Sequence, residues 1–113
     1  MTTDSTVPQA ASHARFAPGQ LVQHLRFDYR GVVVDVDAIF QGTEDWYETM
    51  ARSRPPRNQP WYHVLVDGAE HQTYVAERHL AADDSGEPVS HPELQLYFSA
   101  FRRGRYLSQQ RCN

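Results

Sequence analysis

Two carboxylates, Asp35 and Asp37, flank Val36 at the end of a β-branched run. On an extended strand they share a face roughly 7 Å apart, a spacing that suits a divalent cation or the acid pair of a glycoside hydrolase. A hydrolase cleft is out of proportion to a chain of 113 residues. Solvated or arginine-paired aspartates are the bland reading, and a contact with a partner protein is the sharper one. Six histidines invite a metal reading, yet none stands at HxH or HExxH spacing and the lone cysteine is Cys112 at the far end. Zinc sites need several ligands in such patterns, so no metal and no cofactor are expected. No nucleophile elbow, phosphate-cradling glycine loop or CxxC is present, and no catalytic residue is assigned.

Recognition chemistry is better represented. Trp61, Tyr62, His63 and Tyr74 form an aromatic and polar set on two neighbouring strand-like runs. Aromatic side chains are common interface anchors, and strand alternation sends Trp61 and His63 to one face and Tyr62 to the other. One face must be core and the other is free to bind. Near the C-terminus, Arg102, Arg103 and Arg105 lie among Tyr97, Phe98, Phe101 and Tyr106. Arginines interleaved with aromatics can hold phosphates and stack on bases, so these three are the nucleic-acid candidates.

The elements that must position these residues are mostly strands. Leu21 to Phe27 reads as a strand, and Asp28 to Gly31 as a tight turn with Gly31 free to take a positive φ. Gly31 to Phe40 is the strongest strand signal, with Val32, Val34 and Val36 expected on the core face together with Val64 and Val66 of a later strand. Thr43 is placed to cap a short helix in which Trp46 and Met50, four apart, pack inward. Trp61 to Asp67 and Gln72 to Ala76 pair across an Asp67-Gly68 hairpin signal, and Glu77 to Leu80 makes one helical turn. Ser90 and Glu93 match a capping box, and Leu94, Tyr97, Phe98 and Phe101 follow helical spacing, which predicts a helix over about 91–103 closed by Gly104. The expectation is a mostly β fold: a small SH3-like barrel with a short helical insertion and a C-terminal helix, spanning 16–113 behind a disordered tail at 1–15.

The balance of 11 basic against 14 acidic residues argues against a surface that coats nucleic acid as a whole, though a local basic patch is compatible with it. The basic residues are all arginine. No apolar run approaches the ~20 residues that cross a bilayer, and the N-terminus lacks a signal-peptide pattern. A cytoplasmic chain is expected.

The stretches Phe16 to His24, Tyr29 to Asp37, Pro60 to Asp67 and Thr73 to Glu77, in that order, resemble the YccV/HspQ-like family, named for binding hemimethylated DNA. The resemblance implies a small β barrel, no enzymatic activity, a DNA-binding role, and an accessory role in regulated proteolysis by the Lon protease. Tyr29 and Arg30, in the matching turn, join Asp35, Asp37, Trp61, Tyr62, His63 and Tyr74 as partner-binding candidates. The segment His91 to Tyr106 has no clear counterpart in shorter members. The lead expectation is a non-enzymatic protease adaptor that binds a Lon-like protease or its substrates. The alternative is a hemimethylated-DNA-binding protein, and self-association is left open.

Overall fold

The computed structural model describes residues 13–108, so the greater part of the tail expected at 1–15 lies outside the described residues. Strands β1 (Leu21–His24), β2 (Arg30–Asp37), β3 (Trp61–Val66), β4 (Gln72–Ala76) and β5 (Leu80–Ala82) form one antiparallel sheet in the order β4-β3-β2-β1-β5. Helix α1 (Glu44–Met50) interrupts β2 and β3, and a 3-10 turn at Glu77–His79 joins β4 to β5. The four-residue helix α2 (Leu94–Tyr97) leads into a hairpin of β6 (Phe98–Arg102) and β7 (Arg105–Ser108). The fold is mostly β, as expected. Its two edge strands, β4 and β5, do not pair with each other, so the sheet is open rather than a closed ring.

A single irregularity in β2 decides which side chains meet. Val33 pairs with Val64 and Asp35 pairs with His63, so Val34 is an extra residue with no partner of its own. Such a bulge reverses the side-chain alternation beyond it. Val33 and Val36 therefore pack in the same cluster, with Tyr62, Val64, Val22 and Leu80. Val32 and Val34 pack on the opposite face, with Leu21 and Leu65 under the C-terminal hairpin. Of the five valines expected in the core, Val32, Val64 and Val66 are buried, whereas Val34 and Val36 are only half-buried and Val33 is fully buried. The uninterrupted alternation expected for β2 is corrected by the bulge. Val33→Ala should cost about 2–3 kcal/mol and Val34→Ala under about 1 kcal/mol. Chemical denaturation reads both, and equal losses would contradict the register.

Gly31 is required for a reason other than the turn. Its φ is not positive; Asp28 takes that conformation instead, at φ 56°. A Cβ on Gly31 would lie 2.5 Å from the Leu65 carbonyl oxygen and 2.5 Å from Val64 Cγ1, so the residue is fixed by the close approach of β2 and β3.

The helix expected at 91–103 is also corrected. Only Leu94–Tyr97 is helical, and neither Ser90 nor Glu93 caps it through a side chain. Arg103 and Gly104 both have positive φ, 54° and 76°. That combination belongs to the two-residue turns that match strand twist, and Gly104 serves it instead of a helix C-cap. Phe98 and Tyr106 are buried against Leu21, Val32 and Leu65, and the Tyr106 hydroxyl bonds both the N–H and the C=O of Val89. The helical spacing of the aromatics is overridden by this cross-strand packing. In α1, Thr43 caps as expected, with Trp46 N–H donating to Thr43 Oγ1 at 3.0 Å. Tyr47 is the buried residue of that helix, while Met50 is 62 % exposed.

Candidate binding groove

Trp61 sits at the end of β3 beneath α1, buried among Phe40, Trp46, Tyr47 and Tyr74 with ring centroids 4.8–6.4 Å away. Its indole N–H donates to the Pro56 carbonyl at 3.0 Å. Tyr74, on β4, stands over it and is held by three partners. Its hydroxyl donates to Asp37 Oδ2 at 2.6 Å and accepts from the Gln41 N–H at 3.0 Å, and the His63 ring lies 4.6 Å away. Burial, and then the Asp37 carboxylate, push the Tyr74 hydroxyl pKa well up, so it stays a proton donor.

From this aromatic end a groove of about 830 Å³ runs along all five residues of β4 to a second cluster around His24. There the β1–β2 turn folds Phe27 onto the His24 ring at 4.8 Å, with Tyr29 at 5.0 Å and His79 at 5.7 Å. His24 Nδ1 accepts the backbone N–H groups of both Arg26 and Phe27 at 3.1 Å. Burial, then the neighbouring His79 and Arg26, lower the His24 pKa to about 4, which keeps this ring neutral at pH 7. The Tyr29 hydroxyl meets Thr73 Oγ1 at 2.6 Å. Phe27 and Met50 remain 69 % and 62 % exposed at the rim. Arg26 and Arg52 line the groove, no aspartate or glutamate does, and neither arginine has an ion pair among the described residues.

Of the partner-binding candidates, Tyr29, Trp61, His63 and Tyr74 line this groove. Tyr62 does not: it is fully buried on the other face, where its hydroxyl donates to Glu77 and accepts from the Phe16 N–H. Burial and that glutamate raise its pKa to about 12. Arg30 is occupied inside the fold. Its guanidinium donates to Asp83 at 2.8 Å, Asp67 at 3.2 Å, Ser85 at 3.2 Å and the Glu87 carbonyl. Burial pushes the Asp83 carboxyl up, but hydrogen bonds from Arg30 and Ser85 outweigh it and hold the pKa below the usual range. Arg30→Met should therefore destabilise the protein by about 1–3 kcal/mol through the orphaned Asp83. An unchanged denaturation midpoint would show that the network carries no stability.

The bulge in β2 also has a chemical consequence. Asp35, Asp37 and His63 are brought together so that one ligand atom of each lies within 4.8 Å of the others. The set offers two carboxylates and an imidazole to a divalent cation, although Asp37 Oδ2 already takes the Tyr74 hydroxyl and contacts His63 Nε2 at 3.1 Å. The pairing of Asp35 with His63 depends on a register that no spacing in the sequence displays. His24, Phe27 and His79 were likewise not singled out as one binding cluster, since the turn that assembles them is made of unremarkable residue types.

Arg102, Arg103 and Arg105 lie outside the groove, at the exposed tip of the β6–β7 hairpin. Arg102 and Arg105 are directly cross-strand, a like-charge pairing that opposes folding. None of the three has an ion pair among the described residues. In comparison with known families, a model described as YccV-like, hemimethylated DNA-binding protein YccV like, matches residues 14–105.

Proposed function

The chain belongs to the YccV-like family, and from that premise we propose that it is a non-enzymatic, cytoplasmic binding module that acts as a specificity factor for a Lon-type protease. The observation that carries this reading is the groove along β4, which joins exposed apolar side chains to aromatic walls with no carboxylate among its described lining residues. Exposed apolar residues gathered beside aromatic anchors are the usual makings of a protein contact. The strand order, with a 3-10 turn between β4 and β5, supports an SH3-like curl of the sheet. Adding the chain to a purified Lon-type protease should speed degradation of a selective substrate. Phe27→Ser with Met50→Ser should cut that stimulation at least fivefold and leave folding intact, because both side chains are largely in water. A protease rate indifferent to the chain would sink the reading.

The second reading is DNA binding, supported by the description of the matched family and by the three unpaired arginines at the hairpin tip. If DNA is the partner, Arg102→Ala, Arg103→Ala and Arg105→Ala together should flatten the log–log salt dependence of binding by roughly 3 units. Gel shift or anisotropy across a salt series reads this directly. A protease-stimulation assay on the same triple variant separates the readings, since the groove does not include that tip.

A further inference from the structure

β4 is an edge strand, hydrogen-bonded to β3 and, among the described residues, to no other strand. Bonded and non-bonded pairs alternate along an antiparallel ladder. Val66 bonds His71 at one end and Glu77 bonds Pro60 at the other, which fixes the phase: Thr73 and Val75 turn their N–H and C=O groups toward β3. Gln72, Tyr74 and Ala76 turn theirs outward; Ala76 is buried with Tyr47, Ala51 and Trp61, so the accessible outward groups are those of Gln72 and Tyr74. Proteins usually guard such an edge with a charge, a proline or a bulge. β4 carries no charged residue and no proline, and its register with β3 is uninterrupted. The other edge, β5, is only three residues long and runs into Asp83 and Asp84.

The surroundings of this edge say what fits it. The groove contains Arg26 on one side and Arg52 on the other, both exposed; among the described residues neither has an ion pair and no carboxylate lines the groove. The chain as a whole has more acidic than basic residues, so this charge is local. Apolar surface is available on both sides of the strand, from Trp46 and Tyr74 on one and from the exposed Phe27 on the other.

We infer that the open edge of β4 takes an extended, acidic and apolar segment of a partner protein as a sixth strand. Backbone bonds to Gln72 and Tyr74 supply sequence-tolerant affinity, the flanking aromatics take alternate side chains, and Arg26 and Arg52 select for acidic residues. This rests on the protein-binding reading above and adds the mode of contact and the chemistry of the partner.

The test uses the full chain and a fluorescein-labelled heptapeptide of alternating glutamate and apolar residues. Anisotropy should show binding that the lysine counterpart lacks. Methylation of the alternate peptide amides facing β4, or Arg26→Glu with Arg52→Glu in the protein, should each weaken it at least tenfold. Both arginines are exposed, so the double variant keeps its fold. Hydrogen exchange by NMR should show the Gln72 and Tyr74 amides newly protected in the complex. Equal binding of the methylated or lysine peptide would overturn the inference, as would displacement of the peptide by a DNA duplex. Protease stimulation without peptide binding would discard this contact and leave the accessory role standing. Peptide binding without stimulation would do the reverse.

Discussion

Trp61→Ala will be the most damaging single truncation, with an expected loss of about 3–5 kcal/mol. The side chain is 1 % exposed and fills the space between the sheet and α1. Its removal opens a cavity lined by Phe40, Trp46, Tyr47 and Tyr74, and these rings cannot all collapse inward because the two tyrosines are tied to other elements. Tyr47 bonds the Pro55 carbonyl at 2.8 Å, and Tyr74 bonds Asp37. The Pro56 carbonyl also loses the indole N–H that donates to it, which adds the cost of an unsatisfied acceptor wherever water does not replace the indole. Trp61→Phe should be milder, near 1–2 kcal/mol, because most of the volume stays. Urea denaturation at neutral pH checks both. A loss below about 1 kcal/mol for the alanine variant would mean that α1 is loosely docked and that the aromatic end of the groove is not a fixed feature.

The parts of the fold legible in the sequence are those set by local chemistry. The Asp67-Gly68 turn, the β-branched run of β2, the Thr43 cap and the short turn at Glu77 are each written in a few adjacent residues, and each appears in the structure. What was not legible depends on contacts between distant residues. Phe98 and Tyr106 follow a spacing compatible with a helix, yet they are buried by Leu21, Val32 and Leu65, more than 30 positions away. Tertiary packing of this kind overrides propensity. The bulge at Val34 is invisible for the same reason: it is a mismatch in pairing between β2 and β3, and neither strand shows it alone. That one residue separates Val33 from the aspartates and places Asp35 opposite His63.

The candidate site divides along the same line. Trp61, Tyr74 and His63 are conspicuous residue types on strands, and the groove contains them. Arg30 was conspicuous as well, but its partners come from the far ends of β3 and β5, so its internal role could be seen only once those ends met. Three sets of arginines stand apart: Arg30, Arg54 and Arg57 in ion pairs, Arg26 and Arg52 beside β4, and Arg102, Arg103 and Arg105 at the hairpin tip. The two unpaired groups sit on different elements. Charge reversal at one and neutralisation at the other will therefore act on different partners if the chain has two.

Acid will destabilise the protein through His24, on the order of 3 kcal/mol between pH 8 and pH 4. The ring is 5 % exposed, and its Nδ1 accepts two backbone N–H groups, so that nitrogen cannot also carry a proton. Stacked beside it, His79 meets Ser53 Oγ through Nε2 at 2.8 Å, and its own pKa is lowered by burial and then by Arg78 and Arg26. The sign follows from the direction of the shift. The unfolded chain takes up a proton near pH 6.5, whereas folded His24 resists until about pH 4. Stability is therefore fully present above pH 6.5 and drains away as the pH falls from there toward 4. His24→Asn should remove most of this slope, because an amide oxygen can accept the same two N–H groups and does not titrate. The variant will start from a lower stability at pH 8, having lost the contacts of the ring with Phe27 and Tyr29. Urea midpoints at pH 8, 6.5, 5.5 and 4.5 distinguish slope from offset. Parallel losses in the wild type and His24→Asn would show that carboxylates such as Asp83, and not this histidine, set the acid limit. Protonation of His24 also breaks the bonds that hold the Arg26–Phe27 turn against β4. Groove binding should therefore fail within the same pH window, ahead of global unfolding.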